Sequence, residues 1–328
     1  MQTEAKEPEF HAWGVGLMRE IDVRLLAAVE GDSPVVTELA RHVPQAGGKR
    51  FRPLLVIGAA GLAYAAGSEP DRETVVKAAL TVELTHVASL YHDDVMDESG
   101  QRRGVETVNK RWRNSLAIMA GDFLFARAST ICAHLGLDYV AWQASTFARL
   151  VQGQIAELVG PAPGTDPLAH HRAVIADKTA SLIATSARFG GMAAGLDASM
   201  LAALTTYGEE VGMAFQLADD LIDITSEEAG KDPGADLREG ILTLAPLLII
   251  AAGRPEDAEL VEWFRRPVPP AALPHVLALL RAHPVITDVR AEIDQHRAKA
   301  RAALDPLPEG PAKDNLRSLC DAAVTRTF

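Results

Sequence analysis

Cysteines and aromatic residues are scarce in this sequence of 328 residues. There are two cysteines, Cys132 and Cys320, and aromatic residues make up only 5% of the chain. Two cysteines are too few for a disulfide framework or for a cysteine-based zinc site. The first residues are polar and of mixed charge, so the sequence shows no signal peptide. These absences favour a protein that works in the reducing cytoplasm.

The sequence also lacks long hydrophobic runs and an excess of basic residues. The longest apolar runs, at residues 54–67 and 241–253, are shorter than the roughly 20 residues that a membrane span needs. We therefore expect buried helices there and no transmembrane segment. The 32 basic and 44 acidic residues give a net charge of −12. This balance argues against a nucleic-acid or anionic-membrane binder, but it allows a small basic pocket for a phosphorylated ligand.

What the sequence does contain is apolar residues at helical spacing. Stripes of this kind run through residues 71–92, 115–135, 138–158, 198–225 and 286–303. Strand-like alternation is rare, and the Pro- and Gly-rich segments between the stripes are short enough to be loops. The sequence therefore predicts a single all-α domain, residues 1–328, built as a large helical bundle. The small number of aromatic side chains leaves room for a central cavity.

Two clusters share the pattern Asp-Asp-x-x-Asp. Their members are Asp93, Asp94 and Asp97 in the first cluster, and Asp219, Asp220 and Asp223 in the second. On a helix, the first and last members are about 40° apart around the axis and project side by side. Crowded carboxylates repel each other, and oxygen ligands without thiolates suit Mg²⁺, which completes its shell with substrate phosphates. The clusters predict two metal-binding walls around a diphosphate; the alternative is a solvated acidic helix face.

Basic side chains suited to phosphate occur in two loops and one helix. They are Lys49 and Arg52 in the glycine-rich run 47–53, Arg102 and Arg103 just after the first acidic cluster, and His86 two turns before it. Arginine grips phosphate oxygens bidentately, and lysine acts as a point charge. The sequence has no Ser-His-Asp or Cys-His signature and no phosphate-binding glycine fingerprint. It therefore indicates metal-assisted chemistry on a diphosphate without a protein nucleophile.

Taken in order, these motifs resemble the trans-isoprenyl diphosphate synthases, also called the polyprenyl synthetase family. Further matching segments are Ala120-Gly121-Asp122, Lys178-Thr179, residues 215–223, Gly230-Lys231 and residues 236–240. The resemblance spans about residues 15–325. It implies the isoprenoid synthase fold, a helical bundle around a deep cavity, in a homodimer.

The resemblance also implies substrates and a role for each site residue. The enzyme would condense isopentenyl diphosphate head-to-tail with an allylic diphosphate, using Mg²⁺, as three ions, held by the six clustered aspartates. The allylic diphosphate would contact Arg102, Lys178 and Lys231. The diphosphate of isopentenyl diphosphate would contact Lys49, Arg52, His86 and Arg103. Thr179 and Gln216 would lie near the reacting carbons.

The residues just before the first cluster bear on product length in this family. Thr85, Ala88 and Ser89 are all small, so we expect no floor one helical turn below the cluster. The product should then exceed fifteen carbons, and a long chain is favoured over geranylgeranyl diphosphate. Phe123 and Phe125 are the candidates for a lower floor.

One position departs from the resemblance, and several rival functions stay open. Ile241 stands where the family often has a lysine that contacts diphosphate. A class I terpene cyclase would share the first cluster but not the second. A phosphohydrolase suggested by the pair His92-Asp93 would not explain the second cluster. A regulatory subunit of a heteromeric synthase is the non-enzyme alternative, although such subunits tend to lose the acidic motifs.

Overall fold

A computed structural model describes residues 6–226 and 233–325, and within these residues the chain is almost entirely helical. The first helices are α1 (Lys6–Ala28), α2 (Pro34–Gln45), α3 (Phe51–Ala60), α4 (Arg72–Met96), α5 (Val108–Arg111), α6 (Asn114–Ala133) and α7 (Leu137–Val159). They are followed by α8 (Pro167–Ile175), α9 (Ser181–Ala193), α10 (Ala198–Thr225), α11 (Ala235–Glu239) and α12 (Leu244–Ala252). The last are α13 (Ala258–Trp263), α14 (Leu273–Ala282), α15 (Val285–Ala303) and α16 (Pro311–Thr325). The predicted all-α class is confirmed.

Strand structure in the described residues is confined to one small hairpin. The strands β1 (Gln101–Arg102) and β2 (Val105–Glu106) pair antiparallel, with Gln101 opposite Glu106. Arg103 occupies the left-handed region of the turn, with φ 53°. The hairpin follows α4 directly, so it carries Arg102 and Arg103 back beside the first acidic cluster.

Aspartate caps fix where the helices that carry the site begin. Asp71 accepts a hydrogen bond from the Thr74 backbone N–H (2.8 Å) at the start of α4. Asp197 accepts from the N–H groups of Ser199 and Met200 (both 2.9 Å) at the start of α10. Such caps satisfy N–H groups that a helix leaves unpaired and are worth about 1 kcal/mol each.

The two long helices α4 and α10 run through the interior of the bundle. α4 packs mainly against α6, and α10 packs against α9 and α15. Most of α4 is buried on several faces, as shown by Val75, Leu84 and Tyr91, which are at most 1% exposed. A helix buried all round is held by its neighbours, so its C-terminal end has a defined place in the molecule.

Helix α6 is long and apolar enough to cross a membrane, judged by length and composition alone. The predicted buried runs 54–67 and 241–253 did not include it. A core helix meets the same criterion, and Ala117, Leu124 and Cys132 of α6 are buried in the main hydrophobic core. We therefore interpret α6 as a helix of the bundle with one apolar face left exposed.

Candidate active site

A cavity of about 620 Å³ lies between α4, α6, α7 and α10. Asp93 and Asp219, the first members of the two acidic clusters, both line it. Its polar lining also includes Arg52, His86, Arg102, Lys178, Thr179 and Gln216. Its apolar lining includes Leu90, Ile118, Phe125, Phe147, Leu150, Val151, Ile155 and Leu158. A cleft of similar volume beside α2 and Trp112 contains none of the predicted site residues.

The first acidic cluster lies at the end of α4, and its members differ in surroundings. Asp97 is the residue that caps the helix, because α4 ends at Met96. Burial raises the pKa of Asp93 to about 6. Asp94 is buried and accepts a hydrogen bond from Arg102 Nε (2.8 Å). No described residue donates a hydrogen bond to the side chains of Asp93 or Asp97, so these two carboxylates are the better placed for a cation.

The second cluster lies near the end of α10 and is also divided. Asp220 is buried, and its Oδ1 accepts a hydrogen bond from Gln216 Nε2 (2.9 Å). Burial, together with the neighbouring negative charges of Asp236 and Asp219, raises the pKa of Asp220 to about 8. Asp223 instead accepts backbone N–H groups at the start of α11, with Oδ1 bonded to two of them at 3.1 Å. The carboxylate of Asp223 is therefore bound mainly by the backbone at the start of α11.

The carboxylates suit a hard divalent cation, although not as a complete cage. Among the described residues, no three acidic, histidine or cysteine side chains are grouped to hold one metal ion. Such a partial ligand set is typical of Mg²⁺, which usually binds one or two carboxylates and takes its other ligands from water and phosphate. Burial is the main cause of the raised pKa values of Asp93 and Asp220, and a bound cation would favour the ionised form of each. That all six clustered aspartates hold metal ions stays a prediction.

Lys178 and Thr179 lie on a π-helical turn, Ala176–Ala180, between α8 and α9. Lys178 forms an ion pair with Glu157 of α7, and both flank the first cluster. The Thr179 hydroxyl donates to Gln216 Oε1 (2.9 Å), which ties the π turn to α10. These three predicted residues therefore meet at one wall of the cavity. Lys231 lies outside the described residues, and Ile241 is 39% exposed just beyond α11.

Of the four residues predicted to bind the second substrate, Arg52 and His86 line the cavity, whereas Lys49 and Arg103 are not among its lining residues. Arg52 is half-buried, and the desolvation of its guanidinium lowers its pKa to about 10. Burial and the charge of Arg52 together lower the pKa of His86. Arg103 donates a hydrogen bond to the Gly47 carbonyl, so the hairpin holds the glycine-rich run, and Lys49 is exposed beside it. The Nε atom of Arg52 is buried and has no hydrogen-bond partner among the described residues, so it can donate a hydrogen bond to an anion.

Sequence reasoning missed several charged partners of these residues. Glu83 is 2% exposed, and its Oε1 accepts a hydrogen bond from Arg50 Nη1 (2.9 Å). Its buried negative charge offsets the positive charge of the neighbouring cations. Glu157 pairs with Lys178, and Asp236 stands beside the second cluster, where burial raises its pKa to about 7. A single carboxylate inside an apolar helical stretch was the available signal for Glu83 and Glu157.

The structure changes the expected placement of the chain-length residues. Ser89 lines the cavity, whereas Ala88 and Thr85 are buried in the core and are not among its lining residues. Ala88 is about 140° around α4 from Asp93, while Ser89 is about 40° from it. Ala88 consequently lies on the side of α4 that packs against α6. If Gly121 of α6 carried a Cβ, that atom would lie 3.3 Å from the backbone carbonyl oxygen of Ala88. Ser89 is thus the one of the three whose side chain borders the cavity.

Of the two candidate floor residues, Phe125 lines the cavity. Its ring packs against that of Phe147, with centroids 4.4 Å apart. Phe123 lies elsewhere: its ring is near Gly31 and the guanidinium of Arg127. A pair of aromatic rings therefore forms part of the apolar wall of the cavity.

Comparisons with known proteins agree with this geometry. A family model described as polyprenyl synthetase matches residues 33–278. The nonaprenyl diphosphate synthase of Mycobacterium tuberculosis is 41% identical over 295 residues, which cover 89% of this chain and 87% of that protein.

Two solved structures are similar over nearly the whole chain. The geranylgeranyl pyrophosphate synthase of Corynebacterium glutamicum, complexed with calcium and isoprenyl diphosphate, has a TM-score of 0.85 at 40% identity and covers 98% of each chain. A decaprenyl diphosphate synthase from Rhodobacter capsulatus has a TM-score of 0.86 at 31% identity, covering 98% of this chain and 99% of its own.

The helical bundle and its two-cluster cavity define an isoprenoid synthase fold that serves a trans-prenyltransferase. The chain belongs to the polyprenyl synthetase family. The predictions of fold, family and enzyme class are therefore confirmed. The role of each site residue and the number of metal ions stay predictions.

Proposed function

We propose that the protein condenses isopentenyl diphosphate with an allylic diphosphate, head to tail, to make an all-trans polyprenyl diphosphate with the help of Mg²⁺. The observation that carries this proposal is the meeting of Asp93 and Asp219, from helices distant in sequence, in one cavity. The same cavity contains Arg52 and His86 at a separate position and has a long apolar wall. It thus offers places for two diphosphates and for one growing hydrocarbon.

The allylic diphosphate would lie between the acidic clusters. The two clusters of three aspartates, one on each wall, would hold the magnesium ions, which we expect to number three. Bound Mg²⁺ would supply Lewis-acid stabilisation of the departing diphosphate. Lys178 and Arg102 would bind the same diphosphate oxygens, stabilising the charge that develops as the allylic C–O bond breaks. We expect Lys231 to belong to this set.

The isopentenyl diphosphate would lie beside Arg52, His86, Arg103 and Lys49. Its double bond attacks the allylic carbon, a new C–C bond forms, and the C–O electron pair leaves with the diphosphate. One proton is then lost from the condensed product, and the released diphosphate is the base we propose. Thr179 and Gln216, held to each other, would shape the space around the reacting carbons.

The product should exceed fifteen carbons. The similar proteins from M. tuberculosis, C. glutamicum and R. capsulatus are named for nonaprenyl, geranylgeranyl and decaprenyl products. In this protein the small side chain of Ser89 leaves the cavity open below the first cluster, and we expect the growing prenyl tail to extend towards Phe125 and Phe147.

We also propose a cytoplasmic homodimer in which residues 1–328 act as a single domain. Helices α6 and α7 together expose an apolar surface that includes Ile118, Met119, Phe147, Val151, Ile155 and Leu158. Contiguous apolar surface of this kind on a bundle marks a protein interface. Several of these side chains also line the cavity, so a second copy packed there would close the wall around the growing chain.

The proposal is tested by supplying purified protein with labelled isopentenyl diphosphate, Mg²⁺ and allylic primers of several lengths, and chromatographing the products. We expect linear products longer than fifteen carbons. Chelation of the metal should abolish them, and the double substitution Asp93→Ala with Asp219→Ala serves as the inactive control.

The same assay separates the rival functions. Cyclic hydrocarbon would favour a class I terpene cyclase, and release of phosphate without elongation would favour a phosphohydrolase. Inactivity that is relieved by a second protein would favour a regulatory or partner-dependent subunit. The presence of two complete Asp-Asp-x-x-Asp clusters favours the synthase over these alternatives.

A further inference from the structure

His171 lies on α8, outside the motifs discussed so far, and faces the second acidic cluster. Its side chain is 13% exposed, and its Nε2 is 3.7 Å from Asp220 Oδ2. The Nε2 atom is buried and has no hydrogen-bond partner among the described residues. A buried polar atom without a partner is costly and usually has a purpose. The adjacent carboxylate is the group that this atom can serve.

Asp220 has one oxygen bound and one oxygen turned to His171. Oδ1 accepts the hydrogen bond from Gln216 Nε2 (2.9 Å), and Oδ2 is the oxygen nearest to the histidine ring. A movement of about 0.7 Å would bring Oδ2 into the usual N–H···O range of the ring nitrogen. Gln216 on Oδ1 and His171 on Oδ2 would then together fix the orientation of the Asp220 carboxylate.

Helix α8 is braced so that His171 keeps its position. The next residue, Arg172, forms a two-pronged contact with Glu292 of α15, with Nε to Oε1 at 2.8 Å and NH2 to Oε2 at 2.9 Å. α8 also leads directly into the π turn that carries Lys178 and Thr179. A donor mounted on such a fixed element can hold a flexible ligand in one orientation.

We propose that His171 is a positioning residue for Asp220, whose Oδ2 accepts the Nε2–H of the ring when a divalent cation occupies the second cluster. The bond would hold the carboxylate rotamer so that its remaining lone pairs face the cation. This inference rests on the proposed function, because it takes Asp220 to be a metal ligand. His171 itself touches neither the substrate nor the metal.

The test compares two replacements of His171. His171→Phe keeps a ring and removes the donor, and His171→Gln keeps an N–H donor at similar reach. His170→Leu, one residue earlier on the same helix, is the matched control. Binding of Mn²⁺ is measured by electron paramagnetic resonance at a fixed excess of inorganic diphosphate, corrected for diphosphate alone. Circular dichroism checks the fold, and His171→Leu replaces the Phe variant if that variant does not fold.

We expect His171→Phe to weaken Mn²⁺ binding by about tenfold or more, as losses of outer ligand partners do. His171→Gln should stay within about threefold of the unsubstituted protein, and His170→Leu should match it. Equal binding by the Phe variant would overturn the proposal, as would an equal loss in folded Phe and Gln variants, which would indicate packing instead. If the unsubstituted protein bound no Mn²⁺ under these conditions, the metal site itself, and with it the proposed function, would be wrong.

Discussion

Individual carboxylates in the cavity have unequal roles that their spacing alone does not reveal. Helical periodicity predicts that the first and last members of each cluster share a helix face, because this depends only on the number of residues per turn. It does not show that Asp94 binds Arg102 or that Asp223 caps α11, because those partners come from other segments. The helical angle from Asp93 is about 40° for Ser89 and about 140° for Ala88, so periodicity already separates these two small residues, and only Ser89 lines the cavity.

Substituting the cluster residues that line the cavity should remove activity and keep the fold. Asp93→Ala or Asp219→Ala should each lower kcat at least about a hundredfold, because each removes charge that supports the departing diphosphate. Asp294→Ala, at a site that is 68% exposed on α15, is the matched control and should leave kcat unchanged. Steady-state kinetics and circular dichroism together check this. Near-normal turnover in both cluster variants would contradict the assignment.

The raised pKa values predict how pH affects stability without metal. The pKa of Asp220 is raised to about 8 and that of Asp93 to about 6, so the folded protein favours their protonated forms. Their stabilisation is complete below the unfolded pKa of about 4 and is lost as pH rises through the folded values. The melting temperature should therefore fall towards pH 8, and Mg²⁺ should raise it more at pH 8 than at pH 5.

A matched variant isolates the contribution of Asp220. Asp220→Asn cannot ionise, so its melting temperature should fall less between pH 6 and pH 8 than that of the unsubstituted protein. Thermal unfolding followed by circular dichroism measures both. An identical fall in the two proteins would show that Asp220 does not titrate in this range.

Ser89→Phe should shorten the product by at least one isoprene unit. A phenyl ring there would stand in the cavity one turn below Asp93, about 5.4 Å along α4. Ser89→Ala keeps a small side chain and should keep the product length. Chromatography of the extracted products gives the answer, and an unchanged length in the Phe variant would place the floor elsewhere.

Among the helices, α10 was the easiest to predict and the π turn was the hardest. The apolar stripes at 198–225 and 286–303 agree closely with α10 and α15, because long amphipathic helices carry their own signal. The π turn depends on contacts from α7 and α10, so residues 176–180 carried no local signal. The position of Lys178 therefore follows from the packing of whole elements.

A test of this packing uses Gly153 of α7. A Cβ there would lie 2.6 Å from the Lys178 backbone nitrogen, so Gly153→Ala should displace the π turn. We expect kcat to fall at least about tenfold, since misplaced binding groups are costly, and the melting temperature to fall as well.

Gly14→Ala in α1 is the matched control for this substitution. The nearest atom to a Cβ at Gly14 is at 3.5 Å, an ordinary contact. Alanine in a helix is otherwise favoured over glycine by about 0.5–1 kcal/mol, so this variant should be neutral or stabilised. Equal behaviour of the two variants would show that α7 tolerates a side chain at position 153.

At the scale of the whole molecule, a net charge of −12 is compatible with a site for two diphosphates. Arg52, Arg102 and Lys178 line the cavity together with Asp93 and Asp219. Under the proposed function, a bound divalent cation would let the acidic clusters hold a diphosphate. The shortage of aromatic side chains likewise suits a bundle that contains a cavity. The helical spacing of apolar residues indicated the class of fold, and the homodimer was implied by the family resemblance.

The exposed face of α6 and α7 predicts how the molecules associate. Met119 is 64% exposed on α6, and Met119→Glu would place an unpaired charge twice in a symmetric interface. We expect the dissociation constant of the dimer to rise at least about tenfold. Val23→Glu, at a 70% exposed position on α1, is the control and should leave the dimer intact. Analytical ultracentrifugation measures both, and an unaffected Met119→Glu dimer would place the interface elsewhere.

The central claim is that this cavity joins two diphosphate substrates through a carbon–carbon bond. It is tested most directly by the ratio of inorganic diphosphate released to isopentenyl units incorporated into linear product, in the presence of Mg²⁺. Head-to-tail condensation requires one diphosphate for each unit, at every stage of elongation. We expect this ratio to be one to one, with no release of diphosphate in the absence of isopentenyl diphosphate. Release of diphosphate without incorporation would contradict it.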